Sequence, residues 1–110
     1  MKKTALITGA SAGLGAEFAR QLAGAGLDLV LVARRREKLE NLAAELHADY
    51  GITVNVLVAD MSDPGAPAWL FTETQALDLQ IDFLVNNAGS EGPDLIKVRD
   101  WPRHDAYQHL

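Results

Sequence analysis

The chain has 110 residues, 48% of them hydrophobic and 6% aromatic, with no cysteine and a formal charge of −5. Such a chain holds one compact domain over residues 1–110; it is too short for two, too apolar to be disordered, and has no means for a disulfide scaffold, a thiol nucleophile or a cysteine-ligated metal. Residues 1–50 carry 7 basic and 6 acidic groups and residues 51–110 carry 3 and 9, an acidic balance that argues against nucleic acid as a partner.

Residues 4–8 read as a buried strand that stops at Gly9, and Leu14, Phe18 and Leu22 then recur every fourth residue along one helix face from Gly13 to about residue 23. A nearly continuous apolar run over residues 27–33 is the pattern of a strand covered on both faces, hence of a parallel sheet. Residues 36–50 form a second helix, with Leu39, Leu42, Ala43 and Leu46 inward and Glu37, Lys38, Glu40 and Glu45 in water. A third strand spans residues 52–58. Asp63 is expected as the N-cap and Pro64 as the first residue of a third helix reaching about Leu79. A fourth strand spans residues 81–86, followed by a loop over residues 87–93, and Asp100-Trp101-Pro102 reads as the capped start of a fourth helix. Trp69 and Trp101 are expected to pack helices. The fourth strand, with apolar Phe83-Leu84-Val85, is expected as an exposed sheet edge.

Strands alternating with helices predict an α/β fold: a Rossmann-like doubly wound parallel sheet of which about four strands and their helices are present. No apolar run approaches the ~18 residues that span a bilayer, and the run after Met1-Lys2-Lys3 is too short for a secretory signal. The expected location is the cytoplasm, away from membranes. His47, His104 and His109 lack the spacing of a metal site, so no metal is expected.

Thr8-Gly9-Ala10-Ser11-Ala12-Gly13-Leu14-Gly15 lies between the first strand and the first helix. There Gly9 can supply a sharp turn, Gly13 has no Cβ to obstruct a diphosphate, and Gly15 allows the helix to pack closely, while the helix N-terminus offers N–H groups and the positive dipole end to an anion. A glycine-rich turn that binds nothing is the competing reading. No Gly-Lys-Ser or Gly-Lys-Thr follows, which excludes a kinase-type phosphate loop. At the end of the second strand, an acidic residue would hydrogen-bond a ribose 2′-hydroxyl and repel a 2′-phosphate. This chain has Ala33-Arg34-Arg35-Arg36 instead, and guanidinium matches phosphate oxygens in bidentate geometry. The pattern favours NADP over NAD, with Arg34 as the foremost contact, Arg35 next and Arg36 turned to solvent. A solvated basic helix start is the alternative, disfavoured because cations sit poorly at a helix N-terminus.

Asp60-Met61-Ser62-Asp63 after the third strand and Asp82-Phe83-Leu84-Val85-Asn86-Asn87-Ala88-Gly89 along the fourth complete the pattern. With Thr8 to Gly15 they resemble the short-chain dehydrogenase/reductase family over about residues 4–90. The resemblance implies that Ser11, Ala12 and Leu14 line the phosphate loop with the glycines. It implies that Asp60 receives the adenine amino group beside the Met61 backbone, and that Asn87, Ala88 and Gly89 pass beneath the adenosine ribose. Asn86 would be structural. For Asp60 a helix cap or loop turn is the other reading, and for the asparagines side-chain bonding within a turn. The implied activity is NADP(H)-linked hydride transfer between nicotinamide and a small carbonyl or alcohol substrate. A homo-oligomer is compatible with it.

The family's catalytic Tyr-x-x-x-Lys is missing: Val54 stands four residues after Tyr50, and Tyr107 lies three residues from Leu110. Ser11, Ser62 and Ser90 belong to cofactor-side loops or a helix start. The chain therefore reads as the N-terminal cofactor-binding part of a longer enzyme, with no catalytic residue of its own and inactive alone. A non-catalytic NADP-binding module or interaction fragment remains the alternative.

Overall fold

The computed structural model describes residues 2–87, 94–98, 103–108 and 110. The elements run β1 (Thr4–Thr8), α1 (Gly13–Gly24), β2 (Asp28–Ala33), α2 (Arg36–Tyr50), β3 (Val54–Val58), α3 (Ala66–Ala76), β4 (Phe83–Asn86), β5 (Asp94–Lys97) and α4 (Arg103–Gln108). They build one sheet in the order β3-β2-β1-β4-β5. The pairs β1–β2, β1–β4 and β2–β3 are parallel, with Ala5 between Leu29 and Phe83. This is the strand order of the first half of a doubly wound sheet.

Period-two side-chain alternation explains why β1 and β2 are apolar throughout. Ala5, Ile7, Leu29, Leu31 and Ala33 face one way and pack with Ala16, Ala19 and Ala23 of α1 and Leu39, Leu42 and Leu46 of α2. Leu6, Val30, Val32 and Leu84 face the other way and pack with Leu70, Ala106 and Tyr107. At the end where these strands begin, carboxylates take up backbone donors: Asp28 Oδ1 accepts the Thr53 N–H at 2.9 Å, and Asp82 Oδ2 accepts that of Thr4 at 2.9 Å. Among the described residues no helix is long and apolar enough to cross a membrane.

Four expectations change. The third helix begins at Ala66, two residues after Pro64, with Gly65 as its N-cap. Asp63 is not the cap: its Oδ1 accepts the Gly65 N–H at 2.8 Å within a preceding turn, and Pro67 enters the first helical turn instead. The same helix stops at Ala76, short of Leu79, because Asp78 adopts a left-handed conformation with φ of 55°. The fourth strand is not an exposed edge. β5 pairs antiparallel with it, Leu84 opposite Ile96, and so covers its free backbone groups. An antiparallel edge strand on a parallel sheet is a common arrangement. Trp69 is 41% exposed on α3 rather than packed between helices. The expected helix start at Asp100-Trp101-Pro102 and most of the 87–93 loop lie outside the described residues.

Candidate functional site

A cleft of about 490 Å³ opens where β1, β2 and β3 end. In a doubly wound sheet this carboxyl-end crevice is where ligands bind. Gly9, Ser11 and Ala12 line it from the turn after β1; Ala33, Arg34 and Arg35 from the end of β2; Lys38 from the first turn of α2; and Ala59, Asp60, Met61 and Ser62 from the segment after β3. The fold thus brings together Gly9, Ser11, Ala12, Arg34, Arg35, Asp60 and Met61, which the sequence singled out across fifty positions. Gly13, Leu14, Gly15 and Asn87 stand beside the cleft rather than in its lining, and Ala88 and Gly89 lie outside the described residues.

The turn after β1 owes its shape to three glycines, Gly9 with a left-handed φ of 64° among them. Gly13 has a φ of 59°, the left-handed region, and open space where a Cβ would be. Gly15 is needed for another reason: its absent Cβ would run into the Gly9 carbonyl and lie 2.6 Å from Asn87 Nδ2. It therefore seats α1 against the turn itself. Asn87 Nδ2 donates to the Gly9 carbonyl at 3.1 Å, and the Asn87 N–H donates to Thr8 Oγ1 at 3.1 Å. Thr8 Oγ1 also lies 3.2 Å from Asn86 Oδ1. The ends of β1 and β4 are thereby clasped beneath the turn. α1 itself starts at Ala12 with no side-chain cap and no acidic residue in its first turn, which leaves its N–H groups and dipole available to an anion. Leu14 points outward, 61% exposed.

Charge is distributed unevenly around the cleft. Arg36 is paired with Glu40 at 3.5 Å along the outer face of α2. Arg34, Arg35 and Lys38 line the cleft, and among the described residues none of them forms an ion pair. Opposite in sign stands Asp60. Its Oδ1 accepts both the Ser62 hydroxyl at 2.7 Å and the Ser62 N–H at 2.9 Å. Those two bonds, the hydroxyl's foremost, hold its carboxyl below the usual carboxylate range, with a smaller pull from the Arg34 guanidinium.

Three contributors escape a reading of sequence alone. Lys38 falls on the wet face of an amphipathic helix by periodicity, and only its place in the first turn brings it to the cleft. Ser62 reads as part of a helix start. Thr8 reads as a β-branched strand residue, although its hydroxyl is fully buried and joins the clasp. Neither tyrosine serves the cleft. Tyr107 is 2% exposed, with its hydroxyl 3.0 Å from Thr74 Oγ1 and its ring edge-on to Phe71. Tyr50 closes α2 beside Gly24.

Similarity to known proteins agrees with this geometry. Residues 3–105 match the family described as short chain dehydrogenase. A 7beta-hydroxysteroid dehydrogenase of Collinsella aerofaciens is 39% identical over 103 residues, 92% of this chain and 38% of that protein. A very-long-chain 3-oxoacyl-CoA reductase of Lodderomyces elongisporus is 42% identical over 85 residues, 77% of this chain and 24% of that protein. The crystal structure of L-sorbose reductase from Gluconobacter frateurii, complexed with NADPH and L-sorbose, superposes with a TM-score of 0.75 at 34% identity, covering 81% of this chain and 34% of that one. This chain therefore spans well under half the length of such relatives. The match takes in nearly the whole chain, residues 3–105: the chain belongs to the short-chain dehydrogenase family.

Proposed function

We propose that this chain is the NADP(H)-binding part of an oxidoreductase that interconverts a small carbonyl compound and its alcohol. The observation that carries the reading is the set of three cations, Arg34, Arg35 and Lys38, at the end of β2, where no carboxylate lines the cleft before Asp60. A 2′-phosphate on the adenosine ribose meets guanidinium and ammonium donors there. Ser11 and the uncapped first turn of α1 receive the diphosphate, and the open space before Gly13 admits it. Asp60 accepts from the adenine amino group, with Met61 beside it. Asn87 holds the Gly9 carbonyl in place and leads into Ala88 and Gly89, which take the ribose side. When bound, the dinucleotide supplies a nicotinamide that carries hydride.

No residue of the chain is assigned to proton transfer, because the family's Tyr-x-x-x-Lys does not occur in it, Tyr107 is buried against Thr74, and Tyr50 stands at the end of α2 and does not line the cleft. The substrate is a small molecule rather than nucleic acid or lipid surface, and the cytoplasm is the proposed location.

Titration calorimetry of the 110-residue chain with NADPH and NADH tests the cofactor assignment. NADPH should bind at least tenfold more tightly, the weight of about one charge-assisted bond to phosphate. Arg34→Asp should erase or reverse that preference. Equal affinities in the wild type would overturn it.

A further inference from the structure

Asp60 is exposed, and an exposed carboxylate rotates freely about its Cβ–Cγ bond unless something holds it. Here something does. Ser62 delivers its hydroxyl at 2.7 Å and its N–H at 2.9 Å, and both arrive on the same oxygen, Oδ1. Oδ2 takes neither bond. Bonds to an ionised acceptor are about twice as strong as those between neutral groups, so the pair fixes the plane of the carboxylate and keeps it ionised. Ser62 itself lines the cleft beside Asp60 and Met61.

We propose that Ser62 is a positioning residue for base recognition: by occupying Oδ1 of Asp60 it presents Oδ2, ionised and oriented, to the exocyclic amine of a 6-aminopurine. The proposal rests on Asp60 being the adenine acceptor, and its test separates the two. The probes are NADPH and its analogue in which purine replaces adenine, so that only the 6-amino group is lost. The readout is the ratio of their dissociation constants, measured by calorimetry on the 110-residue chain.

Wild type should favour NADPH by a factor of about ten, the lower end of the net worth of one hydrogen bond to a charged acceptor. Ser62→Ala, which keeps the backbone bond but loses the hydroxyl, should bring the ratio close to one. Ser62→Thr should restore it, and the NADPH-to-NADH preference should stay unchanged in both variants. If Ser62→Ala weakens the two probes equally, or leaves the ratio intact while Asp60→Ala abolishes it, Ser62 merely shapes the loop and the proposal is wrong. If Asp60→Ala leaves the ratio at its wild-type value, or wild type shows no preference, the adenine reading of Asp60 fails and the positioning role fails with it.

Discussion

Gly13 and Gly15 stand two residues apart in one turn, and each resists a methyl group for its own reason. At Gly13 the obstacle is the backbone: φ is 59° with open space around the missing Cβ. An alanine there bears a left-handed strain of about 1–2 kcal/mol. At Gly15 the obstacle is the Gly9 carbonyl, main chain that cannot swing aside, backed by Asn87. Overpacking of this kind costs about 1–3 kcal/mol and shifts backbone, so the damage falls on the turn that lines the cleft. Urea denaturation should place Gly15→Ala below Gly13→Ala in stability, and NADPH affinity should fall further in Gly15→Ala. The reverse order in both measurements would remove the distinction. These glycines, with Arg34, Arg35 and Asp60, were legible because each is a residue type whose special property shows at a fixed place after a strand. Lys38, Ser62 and Thr8 were not legible, since a surface lysine, a loop serine and a strand threonine are ordinary where they stand.

Elements bounded by long apolar runs or steady helical periodicity were legible nearly to the residue: β1, α1 and α2 begin where expected, and β1 and α2 end there too. Those signals are strong because burial on one face repeats through the whole segment. β5 has only four residues and no alternation long enough to count, so its pairing with β4 is a tertiary fact without a local trace. The ends of α3 were misplaced because turn geometry, not composition, decides them. Asp78 holds a φ of 55°, a conformation that favours glycine. Asp78→Gly should therefore stabilise the chain by about 0.5–1 kcal/mol, visible as a raised melting temperature with no change in NADPH binding. A lowered melting temperature would mean that the aspartate side chain contributes more there than its backbone costs.

At the scale of the molecule, binding and chemistry are separable. The side chains that line the cleft converge from three strand ends, while Tyr107 is buried against Thr74 and Phe71 on the sheet's other layer. General acid–base catalysis needs a donor within hydrogen-bond reach of the reacting oxygen, and neither tyrosine meets that condition. Purified chain mixed with NADPH and a panel of small ketones should oxidise no NADPH above background, followed by the absorbance of the reduced nicotinamide. Measurable turnover would require a proton donor that the present assignment lacks.

The clasp between Asn87 and Gly9 joins residues 78 positions apart. Gly9 lies before the first helix, yet the group that holds its carbonyl arrives only after three helices and three further strands have been made. Local helices form quickly and distant strand pairings slowly, so the clasped turn beside the cleft matures later than the helices it precedes. Its ligand cannot rescue an early intermediate. A ligand of this cleft meets a finished seat only once the sheet is closed from β1 to β4, so its binding during refolding would time sheet completion rather than nucleate it.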